Sequence, residues 1–404
     1  MASYELLLER VGSQKHLLSF WNELTGSEKD SLAQQIESID FRSLRDIFEG
    51  SAKVYSACAD NLTPVPDDHH IVFRNLPEEE KHHYWRKGLG AISRGEVAVI
   101  VLAGGQSSRL GSSAPKGTIP LGLGVAPSDS LLGIQASKIS LVQKLAAEEF
   151  PQTGAKAEIK WLVACNDIAV NRARHAQSSH GNGNGGLYSA LAPHLPEMKL
   201  RGVKYFHVYC VDNILCKVAD PHLLGFFIEK RADVATKYSE LGAELAERKT
   251  DDGRLLFCAG SIANHLFSLD FLESFCSDNF HLPYHRASKK IAHLSSDGEM
   301  VKPVNPNGIK LEQFVFDVFG RSKNFYIWEV EREDEFSPLK NAESAGKECL
   351  STCKKDLASL NKKWLESAGA KVIGDPIYLR TSVSYCGEGL DRFKGQSVSG
   401  PLLK

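Results

Sequence analysis

The sequence has no excess of charge of one sign. Its 48 lysines and arginines nearly balance its 50 aspartates and glutamates, so that the formal net charge of the 404 residues is −2. Proteins that bind nucleic acids or membrane surfaces generally carry a basic excess. We therefore expect neither a nucleic acid nor a membrane as a partner, while a local basic pocket stays compatible with this balance.

Long apolar runs are missing as well. Nowhere do 18 consecutive apolar residues occur, as a membrane-spanning helix requires. The first residues, Met-Ala-Ser-Tyr-Glu-Leu, do not form the basic region and apolar stretch of a secretory signal. We therefore expect a cytoplasmic protein, and we further expect it to act as a monomer or a weak homodimer.

The cysteine pattern of a disulfide framework is also absent. The nine cysteines are odd in number and scattered, and several lie in apolar runs, as Cys210 does. This pattern indicates buried, reduced thiols in a reducing compartment. Cys349 and Cys353 are spaced as on successive turns of a helix, but no nearby histidine or cysteine completes a zinc site.

Two histidine pairs have the composition but not the spacing of a metal site. His69-His70 and His82-His83 lie in polar, charged stretches. Adjacent side chains do not share one face of a helix. We interpret both pairs as solvated rather than metal-binding.

Hydrophobic periodicity and turn signals predict an N-terminal helical domain over residues 1–92. In it, Ser27 is predicted to cap one helix, with Asp30 three residues later, and Asp40 is predicted to cap the next helix. A catalytic domain is predicted over residues 93–330, and a small α+β domain over residues 331–404.

The middle of the chain alternates between strand-like and helix-like segments. Val97–Leu102 is a continuous apolar, β-branched run, as is typical of a buried parallel strand. Ile159–Ala164 and Tyr205–Val211 are predicted strands, and helices are predicted near 131–150 and over Pro221–Lys230. This alternation predicts an α/β fold, with a doubly wound, Rossmann-like mixed sheet.

A glycine-rich loop, Leu102-Ala-Gly-Gly-Gln-Ser-Ser-Arg-Leu-Gly-Ser-Ser-Ala-Pro-Lys-Gly117, leaves the end of the first predicted strand. Ligands of open α/β sheets bind at that edge. Gly104 and Gly105 allow the backbone to approach a phosphate or a base closely. Arg109 can hold phosphate oxygens in a bidentate manner, and Lys116 adds a compact positive charge. The spacing matches neither a P-loop nor a G-x-G-x-x-G turn, and the alternative interpretation is a surface loop with solvated charges.

This loop resembles the signature of the sugar-nucleotide pyrophosphorylases. Further segments resemble blocks of one branch, the eukaryotic UDP-N-acetylhexosamine pyrophosphorylase family. These segments are His16–Leu24, His207–Leu215, Asn307–Lys310 and Phe336–Asn341. The resemblance runs from end to end, with gaps.

The resemblance implies that UTP and N-acetylglucosamine 1-phosphate react to give UDP-N-acetylglucosamine and pyrophosphate. Such a transfer depends on positioning and charge neutralisation rather than on a covalent nucleophile. By the resemblance, Gly104 and Gly105 would contact the uridine, and Arg109 would hold the departing pyrophosphate. Lys116 would lie near the α-phosphate, and Lys340 would bind a phosphate.

Asp212 ends an apolar strand-like run, where a carboxylate needs a partner. A magnesium ion that bridges phosphates would supply one, and the alternative is that Asp212 caps the following segment. The resemblance further implies that Gly183 packs beside the uracil and that Asn184 bonds the sugar. The alternative for these two residues is a flexible glycine turn.

The sequence departs from the family pattern in three places. Ser107-Ser108 replaces the family's Gly-Thr pair, and related nucleotidyltransferases tolerate serine at this place. The chain is short at 168–180 and at 235–240, where the family has segments with a uracil-contacting glutamine and a sugar-binding glutamate. Cys258 and Ser261 stand where the family has asparagines, and Ser261 has a shorter reach to the sugar. We therefore expect a complete triphosphate half and a depleted sugar half, with a catalytically impaired nucleotide-binding variant or a regulatory subunit as the alternative to an enzyme.

Overall fold

A computed structural model of the chain describes residues 3–51, 65–104, 107–112, 114–153, 157–164, 183–240, 259–276, 280, 282–295 and 297–403. Among these residues, no helix combines the length and apolar character that a membrane crossing requires. The chain divides into two compact units. The first unit comprises Met1–Leu62, Gly181–Gly185 and His281–Asp317, and the second comprises Thr63–His180, Gly186–Phe280 and Val318–Lys404. The division into three domains, with boundaries after residues 92 and 330, stays a prediction.

The regular elements are numbered in chain order. The α-helices are α1 (Tyr4–Val11), α2 (Gly26–Glu37), α3 (Phe41–Ser51), α4 (Glu78–Ser93), α5 (Leu131–Glu149), α6 (Leu187–Leu191), α7 (Leu195–Leu200), α8 (Pro221–Lys230), α9 (Leu269–Glu273), α10 (Arg332–Glu335) and α11 (Leu350–Ser367). The strands are β1 (His70–Val72), β2 (Val97–Leu102), β3 (Lys160–Ala164), β4 (Tyr205–Cys210), β5 (Val234–Glu240), β6 (Ala259–Ser268), β7 (His285–Lys289), β8 (His293–Leu294), β9 (Met300–Val301), β10 (Gly308–Glu312), β11 (Phe325–Glu329), β12 (Lys371–Ile373), β13 (Tyr378–Leu379), β14 (Ser397–Ser399) and β15 (Leu402–Leu403).

The first unit combines the N-terminal helices with two small antiparallel ribbons, β7 with β10 and β8 with β9. Its helices begin at local caps. Thr25, not Ser27, caps α2, because Thr25 and Glu28 form a reciprocal capping box and Ser27 already lies inside the helix. The predicted cap at Ser27 is therefore wrong by two residues. Asp40 accepts the backbone N–H groups of the first turn of α3 at 3.0 and 3.1 Å, which confirms the predicted cap.

The second unit is built on a seven-stranded sheet of order β1-β11-β5-β6-β4-β2-β3. All neighbours are parallel except β6, which is antiparallel to both β4 and β5. The predicted mixed α/β sheet is confirmed, and β2 has the predicted bounds. The predicted second and third strands are also present, with one residue less at one end of each, while β1, β5, β6 and β11 were not predicted.

Helices α4 and α8 pack against each other through two glycines. A Cβ atom on Gly88 would lie 2.0 Å from the carbonyl oxygen of Pro221, and one on Gly225 would lie 1.9 Å from that of Tyr84. Both distances are far below van der Waals contact, so the two backbones meet directly. Glycine is required at both positions, because any side chain would push the helices apart.

One histidine pair is not solvated as predicted. His69 Nδ1 lies 2.6 Å from the carbonyl oxygen of Phe325, and His70 Nε2 lies 2.8 Å from a carboxylate oxygen of Glu329. Both rings are half-buried, because β1 pairs with β11 at the edge of the sheet. The prediction for His82-His83 is confirmed, since both side chains of that pair are exposed on α4.

Candidate active site

The candidate site begins where two parallel strands end side by side. Strands β2 and β4 are hydrogen-bonded neighbours, with Leu102 opposite Cys210. Beyond the ladder, the N–H of Val211 still donates to the carbonyl of Leu102 at 3.2 Å. The glycine-rich loop after β2 and the turn after β4 therefore leave the same edge of the sheet together. This is the edge at which open α/β sheets bind ligands.

Part of the glycine-rich loop is described. Gly104 is half-buried, whereas Gly105 lies outside the described residues. The carbonyl of Ser107 accepts two backbone N–H groups of the following turn, at 2.8 and 3.2 Å. The Ser107 hydroxyl is buried, and within the described part of the chain it has no hydrogen-bond partner. Arg109 is exposed on the short 3₁₀ helix of this loop.

Lys116 lies beside the turn that follows β4. It begins a 3₁₀ helix directly after Pro115. The next residue, Gly117, packs so closely that a Cβ atom would lie 2.9 Å from a side-chain carbon of Val211. The Lys116 ammonium lies 3.5 Å from Asp212 Oδ2, and the two side chains are only 13% and 17% exposed. The structure thus brings two of the predicted site residues into one ion pair.

Asn213 joins the Asp212 turn to the segment that carries Lys340. Its side-chain amide donates to the carbonyl of Glu335 at 2.7 Å. Its side-chain oxygen accepts the N–H groups of Ser337 at 3.0 Å and of Leu215 at 3.2 Å. In addition, the N–H of Leu339 donates to the carbonyl of Asp212 at 2.9 Å. Since Asn213 is only 3% exposed, these bonds are shielded from water and fix the two segments together.

Helix α5 supports the same turn from the other side. Gln135 donates to the carbonyl of Val211 at 3.0 Å. The buried ammonium of Lys138 donates to the carbonyls of Ile214 at 3.1 Å and of Cys216 at 2.8 Å. Burial lowers the pKa of Lys138 to about 8. Asn213, Gln135 and Lys138 were not predicted from the sequence. Their only signal there is that each is a polar residue in an otherwise apolar stretch.

The Cys210 thiol is influenced by the charges of three predicted site residues. Burial, followed by the negative charge of Asp212, raises its pKa to about 12, while the charges of Lys340 and Lys116 act in the opposite direction. Lys116 pairs with Asp212, and the bond from Leu339 to Asp212 brings the adjacent Lys340 to the same turn, so the three charged groups lie near the carboxyl end of β4. Two cations and one carboxylate converge there, as phosphate and metal binding would require.

A buried cluster of ion pairs lies next to the turn that follows β4. Glu335 pairs with Lys217 at 3.0 Å and also with Lys237, which in turn pairs with Asp220. Burial lowers the pKa of Lys237, but the charges of Asp220 and Glu335 outweigh it, so that the net shift is upward. Burial likewise raises the pKa of Asp220, and the nearby charge of Lys237 more than reverses this effect. These ion pairs tie β5, α10 and the turn after β4 together.

The metal prediction concerns Asp212 alone. In the part of the chain that the structure describes, no group of three histidine, cysteine, aspartate or glutamate side chains could hold a metal ion. A single carboxylate beside cations fits a magnesium ion that arrives with substrate phosphates, because Mg²⁺ typically keeps only one or two protein carboxylates. It does not fit a metal held by protein ligands only.

Gly183 and Asn184 lie in the first unit. Gly183 has φ +66°, and a Cβ atom there would lie 2.4 Å from the carbonyl oxygen of Gln313, so this position requires glycine. Asn184 uses its side-chain oxygen to accept the N–H of Val315 at 2.9 Å. Its side-chain oxygen is therefore engaged within the protein, and its NH₂ group is the part suited to bind a ligand.

Ser261 is exposed on β6, beside an irregularity in the pairing of β5 with β6. Its hydroxyl accepts the N–H of Ala263 at 3.2 Å, so it bonds its own strand. Ala235–Glu240, one of the two short joins, forms most of β5. The other join, 168–180, and Cys258 lie outside the described residues.

Comparisons with known proteins place this site in context. Residues 164–252 match the model of the UTP–glucose-1-phosphate uridylyltransferase family. A Caenorhabditis elegans protein described as a probable UDP-N-acetylglucosamine pyrophosphorylase is 46% identical, over 99% of this chain and 96% of its own length. The UDP-N-acetylglucosamine pyrophosphorylase of Saccharomyces cerevisiae is 34% identical, over 95% of each chain.

The fold is similar to that of a crystal structure of the uridine diphosphate N-acetylglucosamine pyrophosphorylase from Trypanosoma brucei. The TM-score is 0.73 at 23% identity, over 97% of this chain and 95% of that one. The alignment with the Caenorhabditis elegans relative runs over 467 positions, although this chain has 404 residues. Part of that relative therefore has no counterpart in this chain. The placement of the missing segments at the two short joins stays a prediction.

Proposed function

The chain belongs to the eukaryotic UDP-N-acetylglucosamine pyrophosphorylase family, and on that premise we propose that it is a uridylyltransferase that makes UDP-N-acetylglucosamine. A phosphate oxygen of N-acetylglucosamine 1-phosphate attacks the α-phosphorus of UTP. The bond between the α-phosphorus and the oxygen that bridges to the β-phosphate breaks, and pyrophosphate leaves with the electron pair. No covalent enzyme intermediate is needed.

One observation carries the proposal. Lys116, Asp212 and Lys340 come from three distant parts of the sequence, and their charges converge at the carboxyl end of β4. In a transfer between phosphates, the transition state concentrates negative charge on the phosphate oxygens, and cations that are fixed in advance stabilise it. We assign Lys116 to the α-phosphate, Lys340 to a phosphate, and Arg109, which is exposed on its loop, to the departing pyrophosphate.

We assign Asp212 as the protein ligand of a magnesium ion. When bound, such an ion would neutralise part of the negative charge of the substrate phosphates. The ion pair with Lys116 at 3.5 Å holds the Asp212 side chain beside the cation that we assign to the α-phosphate. On arrival of the nucleotide, the Lys116 ammonium would exchange this carboxylate for phosphate oxygens.

The nucleoside and sugar are assigned to glycine-rich segments. Gly104 and Gly105 would let the backbone approach the uridine, and Gly183 would pack beside the uracil. Asn184 would bond the sugar through its NH₂ group, since its oxygen already accepts Val315 N–H. Ser261 would be the remaining, shorter contact on the sugar side. The charge balance and scattered cysteines of the sequence support a cytoplasmic location, and we propose a monomer or a weak homodimer.

The experiment measures pyrophosphate release from UTP and Mg²⁺ with N-acetylglucosamine 1-phosphate and with other sugar 1-phosphates as acceptors. Lys340→Met should lower turnover, whereas Lys347→Met, which removes an exposed lysine from the same region, should not. Folded wild-type protein that releases no pyrophosphate with any acceptor would overturn the proposal.

The alternative is a nucleotide-binding protein without turnover, such as a regulatory subunit. The two short joins favour it, because by the resemblance one falls where the family carries a uracil-contacting glutamine and the other where it carries sugar-binding groups. Each buried sugar hydroxyl or amide without a partner costs about 1–3 kcal/mol. Calorimetry separates the two functions: UTP binding without binding of the sugar phosphate supports the alternative.

A further inference from the structure

Lys340 shares a counter-ion with a second cation. The ammonium of Lys340 lies 3.8 Å from Glu348 Oε1, and the guanidinium of Arg332 lies 3.9 Å from the same oxygen. Both cations also stand over the ring of Phe336, at 4.7 Å for Arg332 and 5.4 Å for Lys340. Two positive groups therefore share one carboxylate and one aromatic ring.

The carboxylate is loosely held. Distances of 3.8 and 3.9 Å exceed those of hydrogen bonds, so the attraction is electrostatic only. The Glu348 side chain is 31% exposed, Lys340 is 39% exposed and Arg332 is 46% exposed. Exposed ion pairs contribute little stability, so an incoming anion can replace this carboxylate at small cost.

The backbone of Glu348, in contrast, is firmly fixed. Its carbonyl accepts the N–H groups of both Lys340 and Asn341, at 2.8 and 2.9 Å. Its φ is +50°, in the left-handed region that residues other than glycine rarely adopt. Backbone strain of this kind persists only where surrounding structure enforces it, and it is common at functional sites. One residue therefore fixes the position of the Lys340 backbone and supplies a replaceable negative charge to its side chain.

We propose that Arg332 and Lys340 form a two-cation subsite for a phosphate group, and that Glu348 is its resident counter-ion. The substrate phosphate or the product pyrophosphate takes the place of the Glu348 carboxylate between the two cations. The Glu348 carboxylate lies too far from both cations for hydrogen bonds, at 3.8 and 3.9 Å. A phosphate group has more oxygens to offer to a guanidinium and an ammonium than this carboxylate has. The inference rests on the proposed function and assigns it two further residues, Arg332 and Glu348.

Calorimetry with inorganic pyrophosphate and Mg²⁺ tests the subsite. Glu348→Gln removes the counter-ion and should tighten pyrophosphate binding by about 2–5-fold, the range expected for an exposed ion pair. Glu348→Asn removes the same charge, tolerates the left-handed backbone better and should give the same gain. Glu366→Gln, which removes one exposed charge from α11, controls for net charge and should leave the affinity unchanged.

A double-mutant cycle tests whether the gain depends on these two cations. In Lys340→Met and in Arg332→Met backgrounds, pyrophosphate should bind more weakly, and Glu348→Gln should give little or no gain. The wild type must bind pyrophosphate and turn over for this comparison. If both Glu348 variants then bind pyrophosphate as tightly as the wild type or more weakly, the subsite alone is overturned. A gain that persists without Lys340 and Arg332 would also overturn it. Wild-type protein with neither binding nor turnover would overturn the proposed function first.

Discussion

Asn213 is the residue whose loss should separate the parts of the site most directly. Asn213→Ala removes the bond to the Glu335 carbonyl and the two bonds accepted from Ser337 and Leu215. Each buried group left without a partner costs about 1–3 kcal/mol. For one backbone N–H, this corresponds to a loss of protection of about 5–150-fold in amide hydrogen exchange. We therefore expect the amides of Ser337 and Leu215 to lose protection within that range.

The same change should lower turnover, because Asp212 and Lys340 lie on the two segments that Asn213 joins. A displacement of about 1 Å at reacting groups costs on the order of 10² in rate. The matched control is Asn361→Ala, another buried asparagine, which accepts the N–H of Leu379 at 2.9 Å. This control should lower stability but leave turnover per folded molecule unchanged. Equal effects of both variants on turnover, or unchanged exchange at Ser337 and Leu215, would refute the joining role of Asn213.

Three further predictions concern charge and packing. Lys116→Ala should lower turnover by on the order of 10²–10³ with little change in melting temperature; parallel losses of both would indicate a structural role. Burial lowers the pKa of Lys138 from 10.5 to about 8. Below pH 8 the buried ammonium therefore destabilises the folded state by its full amount, and this destabilisation decreases as the pH rises from 8 to 10.5. The wild type should therefore gain about 1.4 kcal/mol of unfolding free energy per pH unit over this window, relative to Lys138→Met, in urea unfolding; a constant difference would contradict the lowered pKa. Gly88→Ala should destabilise the protein by about 1–3 kcal/mol by separating α4 from α8. Gly50→Ala, where no atom of the described residues outside the local helix backbone lies within 4 Å of the new Cβ, should stabilise it by about 0.5–1 kcal/mol in thermal unfolding.

The strands that could be predicted are those whose local sequence is enough to specify them. Val97–Leu102 is apolar throughout because both of its faces are buried, and it was predicted with its observed bounds. Strands β5 and β6 were not predicted, because they contain buried polar side chains. In β6, Asn264 bonds His207 at 2.7 Å, and in β5, Thr236 bonds His265 at 2.8 Å. Each of these pairs becomes favourable only when distant segments meet, which a local pattern does not reveal.

The same distinction applies to the candidate site. That Lys116 and Asp212 would approach each other follows from their places after two parallel strands, and the structure pairs them. Glu348 was not predicted, since its importance lies in a backbone conformation and in contacts with Lys340 and Arg332. His70 was interpreted as solvated for a similar reason, because its partner Glu329 lies more than 250 residues away in sequence.

The most direct test of the central claim is a single-turnover reaction of purified protein with UTP, Mg²⁺ and N-acetylglucosamine 1-phosphate, followed by quantification of both products. We predict that UDP-N-acetylglucosamine and pyrophosphate form in equal amounts, and that Asp212→Asn and Lys116→Ala each lower the rate while UTP binding in calorimetry remains measurable. Folded protein that binds UTP but forms neither product would contradict the claim.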